Sequence, residues 1–417
     1  MSDVQSWSRA RRIGFLALVG LLVAGGPLGT DMYVPAMPQV SGDLSTPMGL
    51  AQLTLPAYNV GLGAGQFFWG PVSDRFGRRG PLLIGVAAFV LGCVLCAVAP
   101  SIWILLASRL VMGFAGSAGI VIGRSIVRDL YRGPELTRMF AMLTIVFGVS
   151  PVVAPLIGGG VLLISDWRGT FVVMGLIGAA LLVATALGVP ETLREENRVL
   201  GRSAERREAW VAPLKHPVFV TSTLVLVGAA SSMILYLTSV SVVLQDERHL
   251  DATVVSVIYA ITAVGVIAGG QAVPWLAKHL GGLRSLAIAL TLNLLAAVAL
   301  AVISMNEGPI WLFVAAMWVT VFATGVCFPL AMAMALEPFA RGAGTAAAIA
   351  GGCQLALGSI IPAVVTNTFT TSGVVLGLAQ AGASVLTLAF VAAGAGIAGR
   401  RQRLDLSTAE PDFTEPA

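Results

Sequence analysis

Apolar stretches long enough to cross a membrane recur along almost the whole chain, and they constrain the fold more than any other feature. A helix needs roughly 20 apolar residues to cross about 30 Å of hydrocarbon. Of the 417 residues, 57% are hydrophobic and only 11% are charged. No soluble core could bury so much apolar surface. The sequence therefore predicts an all-α membrane protein.

Charged residues and Pro/Gly-rich breaks divide the chain into twelve predicted transmembrane helices. Their approximate ranges are 13–36, 50–72, 81–99, 102–127, 137–163, 168–189, 217–244, 252–276, 284–304, 309–336, 343–369 and 373–398. Basic residues fall mainly at the N-terminus, in the even-numbered connections and in the C-terminal tail, as at Arg75, Arg132, Arg138, Lys215, Lys278, Arg341 and Arg400. The positive-inside rule then predicts that both termini are cytoplasmic.

A polar stretch near the middle of the chain predicts two six-helix bundles. The boundaries are a cytoplasmic N-terminus at 1–12, a first bundle at 13–190, a linker at 191–216, a second bundle at 217–399 and a tail at 400–417. Four residues of the first half recur in the second at a constant interval. These are Gly65, Gln66, Gly77 and Arg79, which recur as Gly270, Gln271, Gly282 and Arg284. A duplicated unit with pseudo-symmetric halves explains this repetition.

Composition and residue spacing argue against several other functions. The net charge is +4, but the basic residues lie between apolar stretches and form no patch with aromatic residues. This distribution argues against nucleic-acid binding. The four cysteines lie inside apolar stretches, so packing explains them better than a metal site. The three histidines are far apart, and no phosphate-binding loop is present. We expect neither an enzyme nor a cofactor or metal.

The connection between the second and third predicted helices carries the strongest motif, in residues 70–79, called the motif turn below. It reads Gly-Pro-Val-Ser-Asp-Arg-Phe-Gly-Arg-Arg, with Gly70, Asp74, Arg75, Gly77 and Arg78 as its key members. Gly77 permits a tight reversal, and an acid at a bilayer edge calls for a cation or a helix N-terminus. The motif resembles the signature of the major facilitator superfamily, with Val72 in place of Leu.

That resemblance covers about residues 12–401 and implies two helical bundles that rock about a central cavity. The motif turn then acts as a cytoplasmic latch. The resemblance implies that Arg78 pairs with an acid at the end of the fourth helix, for which Asp129 is the candidate. Around Lys278 and His279 in the second half the acid is missing, so a second latch is expected to be weaker.

Two ionisable residues inside predicted helices are functional candidates, because such groups are costly in a membrane. Arg109 lies eight residues after Ser101, about 12 Å along a helix, too deep to reach water easily. Asp31 lies about 27 Å from Ile13, so it fits either an interfacial position or a cavity reached through a helix broken near Pro27. A purely structural ion pair also remains open for Arg109.

Residues 28–38 resemble the first-helix signature of the bicyclomycin and chloramphenicol resistance branch of drug:proton antiporters. In that branch this acid, Asp31 here, is thought to bind the proton or a cationic drug, and Arg109 is expected to be its electrostatic partner. Residues 148–160 resemble the exporter motif of the fifth helix through Pro151, Pro155, Gly158 and Gly159, although Ser150 and Ala154 depart from it. The connection at 335–346 resembles the same branch.

These residues together predict a proton-coupled secondary transporter that exports drugs or other small amphiphiles by alternating access. Candidate substrate contacts are Tyr58, Asn59, Met112 and Tyr236. An importer of a metabolite with the same fold is the alternative, and a membrane-embedded enzyme or scaffold is a remoter one. We expect the protein to act as a monomer in the bacterial inner membrane, with the lipid bilayer, protons and a small-molecule substrate as partners.

Overall fold

A computed structural model of the protein describes residues 8–131, 139, 150, 152–193, 210–339 and 343–408. Within these ranges the regular structure is helical, without strands. The helices are α1 (Arg9–Asp31), α2 (Met37–Asp43), α3 (Met48–Gln52), α4 (Thr54–Phe76), α5 (Arg79–Ala97), α6 (Ile102–Leu130), α7 (Val152–Leu162), α8 (Trp167–Gly188), α9 (Pro217–Val242), α10 (Ala252–Leu280), α11 (Gly282–Met305), α12 (Ile310–Leu336), α13 (Ala343–Gly358), α14 (Ile360–Thr368) and α15 (Gly373–Thr408). Short 3₁₀ or π turns follow α1 and α9.

Ten apolar helical segments in the described ranges are long enough to cross a membrane, with α13 and α14 forming one of them. The 23-residue α4 and the shorter α7 complete a twelve-helix architecture in two bundles, as predicted. The predicted fifth helix, 137–163, is described continuously only from residue 152, and most of the predicted linker, 194–209, lies outside the described residues.

The two halves begin their third helices from the same backbone turn, which supports a duplicated unit. Gly77, which follows α4, has φ +93°, and Gly281, which follows α10, has φ +78°. A residue with positive φ directly after a helix terminates that helix. Only a residue without a Cβ adopts this conformation at little cost. The structural equivalent of Gly77 is therefore Gly281, one residue before the Gly282 that the sequence repeat indicated.

Glycines also let equivalent helix pairs approach closely in each half. A Cβ on Gly61 or Gly113 would collide with the backbone of the facing helix where α4 crosses α6. The same holds for Gly269 and Gly325, where α10 crosses α12. Small residues drive such packing in membranes because lipid tails are as apolar as the helices themselves.

Side chains join the two halves at the end of the protein where α1 ends, called the far end below. Gln52 Nε2 donates to Thr238 O at 2.9 Å, and Gln52 Oε1 accepts from Thr371 Oγ1 at 2.8 Å. Gln245 Nε2 donates to Pro35 O at 3.1 Å. Closely packed apolar residues surround these bonds. The far end is thus closed in this conformation.

Candidate functional site

Asp31 lies inside the protein, at the C-terminal end of α1. Its side chain is 5% exposed. The chain then turns through a 3₁₀ segment, Val34–Ala36, into α2. Of the two positions that the sequence left open for Asp31, the structure has the buried one.

Arg109 on α6 is fully buried and is held by the backbone of α1 and by aromatic rings. Its Nη1 donates to Gly29 O at 2.7 Å, which satisfies a carbonyl near the negative end of the α1 dipole. The guanidinium carbon lies 4.3 Å from the ring centroid of Tyr58, 4.9 Å from that of Tyr33 and 5.6 Å from that of Phe171. Its Nη2 is buried without a hydrogen-bond partner.

The expected pairing of Asp31 with Arg109 is not present. No ion pair or hydrogen bond joins the two residues within the described ranges. The guanidinium contacts the Gly29 carbonyl and three rings instead. Arg109 therefore acts on the end of α1 rather than on the carboxylate directly.

Tyrosines from both halves lie in the same buried cluster as Met32, the residue after Asp31. Tyr58 belongs to the first half, and Tyr236 and Tyr259 belong to the second. The rings of Tyr236 and Tyr259 are 5.3 Å apart, and the Tyr236 hydroxyl forms a short hydrogen bond with Thr262. The sequence indicated Tyr236 but not Tyr259 or Thr262, because only the packing of α9 against α10 brings them together.

The other predicted substrate contacts lie in the first half, around Arg109. The Tyr58 hydroxyl donates to Gly26 O at 3.0 Å. Met112 is fully buried, with its sulfur 3.9 Å from Arg109 Nη1, and Asn59 is 4% exposed. These side chains help to build the buried cluster, and no free surface is left on Met112 in this conformation.

The fifth-helix motif packs against both halves beside Asp31. On α7, Pro155 is buried, and a Cβ on Gly158 would collide with the Met32 carbonyl. A Cβ on Gly159 would collide with Ser256 of α10 in the second half. Pro151 lies outside the described residues. The glycines thus let α7 contact α1 and α10 at the same level.

The motif turn brings Arg78 and Asp129 together. Arg78 Nε donates to Asp129 Oδ2 at 2.8 Å, and its Nη1 donates to Asp74 at 2.6 Å and to Ser73 at 2.9 Å. Burial disfavours the charged guanidinium, but the hydrogen bonds and charges of Asp129 and Asp74 outweigh that effect and raise the pKa of Arg78. Arg75 is exposed and packs over the Phe76 ring.

Gly70, the first residue of the motif turn, contributes through its backbone carbonyl within α4. Its carbonyl accepts from Ser73 Oγ at 2.9 Å, and the same hydroxyl accepts from Arg78. This chain of hydrogen bonds links the end of α4 to the buried guanidinium.

Glu191 is a further member of this cluster that sequence reasoning missed. Its carboxylate accepts from the backbone N–H groups of Arg78 at 2.8 Å and Arg79 at 3.2 Å, at the start of α5. A Cβ at position 77 would collide with the Glu191 carboxylate, so the glycine leaves room for it. A carboxylate at a helix N-terminus satisfies orphan donors and the positive end of the dipole. The acid after the last helix of a bundle was the available signal, but it was assigned to the linker.

Membrane-spanning helices in two related halves, with a buried polar cluster between them, are the architecture of a membrane transporter. The chain belongs to the Major Facilitator Superfamily, whose family model matches residues 19–363. This confirms the superfamily resemblance of the motif turn and makes the protein a transporter, not an enzyme.

Among curated proteins, the chain is 34% identical to the uncharacterized MFS-type transporter YdgK of Bacillus subtilis, with coverage of 87% of this chain and 90% of the relative. It is 28% identical to multidrug resistance protein D of Escherichia coli, covering 83% and 86%. It is 27% identical to the bicyclomycin resistance protein homolog of Haemophilus influenzae, covering 85% and 89%. The predicted branch is thus represented among its relatives.

Solved structures share the fold at low sequence identity. The crystal structure of a D-xylose-proton symporter superposes with TM-score 0.73 at 14% identity, covering 89% of this chain and 97% of that one. An inward-facing bacterial homolog of the human lysosomal transporter Spinster gives TM-score 0.67 at 16% identity, covering 97% and 100%.

Proposed function

We propose that the protein exports drugs or other small amphiphiles in exchange for protons. The observation that carries this proposal is Asp31, a buried carboxyl group between the halves with neither a cation nor a hydrogen-bond donor on it in the described residues. A buried ionised carboxylate without a partner is costly, so this site favours the neutral acid. A substrate that brings a positive or donor group to Asp31 would displace the proton. The names of the multidrug and bicyclomycin resistance relatives support the same assignment.

The alternating-access step in this proposal rests on the two ends of the protein. In the conformation described, the far end is closed by Gln52 and Gln245. Arg109 holds the end of α1 against α6 through its bond to Gly29 O. A change in the charge of Asp31, two residues further on, would therefore reach the closed far end through the backbone of α1. Each charge that crosses 100 mV contributes roughly 2.3 kcal/mol. A proton gradient can therefore concentrate a substrate on the outer side.

The orientation in this proposal follows the positive-inside rule, with the motif turn and both termini at the cytoplasmic face of the bacterial inner membrane. The cluster of Arg78, Asp74, Asp129 and Glu191 would then stabilise the cytoplasmic end of the first bundle. We propose that the protein works as a monomer.

Efflux from energised inverted vesicles tests the function. A fluorescent amphiphile, chloramphenicol and bicyclomycin are supplied outside while the acidity of the lumen is followed. Wild type is expected to accumulate a compound in the lumen and release luminal protons, and Asp31→Asn is expected to do neither. The matched control is Asp251→Asn, because Asp251 is an exposed acid at the start of α10 that makes no side-chain cap. Substrate-driven movement in the opposite direction would favour the importer, and unchanged antiport in Asp31→Asn would refute the proton site.

A further inference from the structure

Arg124 is a cation on α6 that the proposed exchange at Asp31 does not use. It lies six residues before the end of the helix, about 9 Å inside it at 1.5 Å per residue. Arg124 is exposed, yet protein atoms surround its side chain on most sides. Both observations hold together if Arg124 lines a solvent-accessible crevice inside the protein. An ionisable group within a membrane helix is a candidate for function.

The face of α6 that carries Arg124 locates this crevice between the two halves. One turn earlier, Ile120 packs between α1 and α4. One turn later, Arg128 reaches the second half, because its Nη1 lies 3.0 Å from the position that a Cβ on Gly344 of α13 would take. The far end is closed in this conformation. The crevice therefore opens at the opposite end, beside the motif turn.

No acid balances the charge of Arg124. Within the described residues, the side chains of Arg124 and Arg128 form neither an ion pair nor a hydrogen bond. The acid nearest to them in sequence, Asp129, is already bound by Arg78. Like charges four residues apart on a helix repel each other. A bound anion would offset this repulsion, and a guanidinium binds carboxylate, phosphate and similar oxyanions through paired N–H donors.

We infer that Arg124 binds the acidic group of a transported compound that enters the crevice from the cytoplasm, so that the substrates include acidic and zwitterionic amphiphiles. This inference rests on the proposed export function and names a substrate class for it. Fifteen residues of α6, about 22 Å, separate Arg124 from Arg109, which contacts α1 near Asp31. A small molecule therefore contacts Arg124 first and Asp31 later.

A matched pair of probes tests the assignment. Anilinonaphthalene sulfonate carries one negative charge, and phenylnaphthylamine is the same molecule without the sulfonate. Binding of each probe to the purified full-length protein in uncharged detergent is measured by thermophoresis of the dye-labelled protein. No ion gradient is present, so a failure of proton exchange leaves this measurement intact, and a failure of this measurement leaves proton exchange intact.

Arg124→Gln is expected to weaken binding of the sulfonate about tenfold, the value of one charged hydrogen bond. Its affinity for phenylnaphthylamine should stay unchanged, which also shows that the variant is folded. Arg124→Lys keeps the charge and should retain part of the affinity for the sulfonate. The matched control is Arg284→Gln, which removes an exposed cation at the start of α11, at the same end of the protein, and should bind both probes as wild type does.

Four results would overturn the inference. The first is that wild type does not bind the sulfonate, or binds it no more tightly than Arg124→Gln does. The second is an equal loss of sulfonate binding in Arg284→Gln, which would mean a general attraction to positive charge. The third is an equal loss for both probes in Arg124→Gln, which would mean a structural role.

The fourth result concerns the phosphate of an anionic lipid, which the same chemistry would recognise. The measurement is repeated in nanodiscs of phosphatidylcholine and in nanodiscs that also contain phosphatidylglycerol. If phosphatidylglycerol abolishes the difference in sulfonate binding between wild type and Arg124→Gln, the site belongs to a lipid headgroup and not to a transported compound.

Discussion

Glu191→Ala should destabilise the first bundle, because Glu191 caps the helix that follows the motif turn. The carboxylate accepts hydrogen bonds from three backbone N–H groups, those of Arg78, Arg79 and Leu193. Loss of a helix cap costs about 1 kcal/mol. Loss of a negative charge at a helix N-terminus adds about 0.3–1 kcal/mol. These contributions add to about 1.3–2 kcal/mol, and water can reach the exposed Arg79 and replace part of them, so we expect a loss of roughly 1.5 kcal/mol in total.

Thermal unfolding in detergent, followed by the fluorescence of a thiol-reactive dye at the buried cysteines, measures this loss. For a unit of 150–250 residues, about 1.5 kcal/mol corresponds to a fall in Tm of roughly 3–6 °C. Glu191→Gln keeps two acceptor lone pairs but loses the charge, and its Tm should fall by about half as much.

Asp166→Ala is the internal comparison for this experiment. Asp166 caps α8 through two N–H groups, at 2.9 and 3.3 Å, and joins no ion-pair cluster in the described residues. Asp166→Ala removes the same two contributions, a cap and a negative charge at a helix N-terminus, so it should also cost about 1–2 kcal/mol. The reasoning is refuted if Glu191→Ala unfolds at the wild-type temperature while Asp166→Ala unfolds at a lower one.

Three further variants test other contacts. Arg109→Lys keeps the charge but cannot bond both Gly29 O, 2.7 Å from Arg109 Nη1, and Thr54 O, 3.4 Å from Arg109 Nε, so the transport rate should fall about tenfold for one lost charged hydrogen bond. Unchanged transport would contradict this role. Gln52→Ala removes two hydrogen bonds between the halves at the far end, worth about 1 kcal/mol each. Distances between spin labels at the far end should then show more of the open conformer, and unchanged distances would count against the closure described. Gly113→Leu collides with the Tyr58 backbone and should cost about 1–3 kcal/mol in thermal unfolding, whereas Gly14→Leu should not.

The architecture could be predicted from the sequence, because the length of an apolar stretch indicates a membrane helix and the placement of basic residues indicates its orientation. The approach of Arg78 to Asp129 was implied by the resemblance of the motif turn to the superfamily signature, which calls for an acid at the end of the fourth helix. The depth of Arg109 could also be derived, because the rise per residue converts sequence distance into depth.

The direction of a side chain about its helix axis was not accessible in the same way. We expected Arg109 to be the electrostatic partner of Asp31, but Arg109 is directed to the carbonyl end of α1, and the residue after Asp31 packs in one cluster with tyrosines of the second half. The position of Tyr259 beside Tyr236 depends on how α9 packs against α10, which no local sequence pattern predicts. Glu191 is the first charged residue of the predicted linker. We therefore assigned it to the linker and did not predict that it caps α5.

The most direct test of the central claim is to mix purified wild type and Asp31→Asn with a transported compound in weakly buffered detergent solution containing a pH indicator. The account predicts that binding releases protons from wild type, and that Asp31→Asn binds the compound without releasing them. Proton release of equal size from both proteins would contradict the assignment of Asp31 as the site where substrate and proton compete.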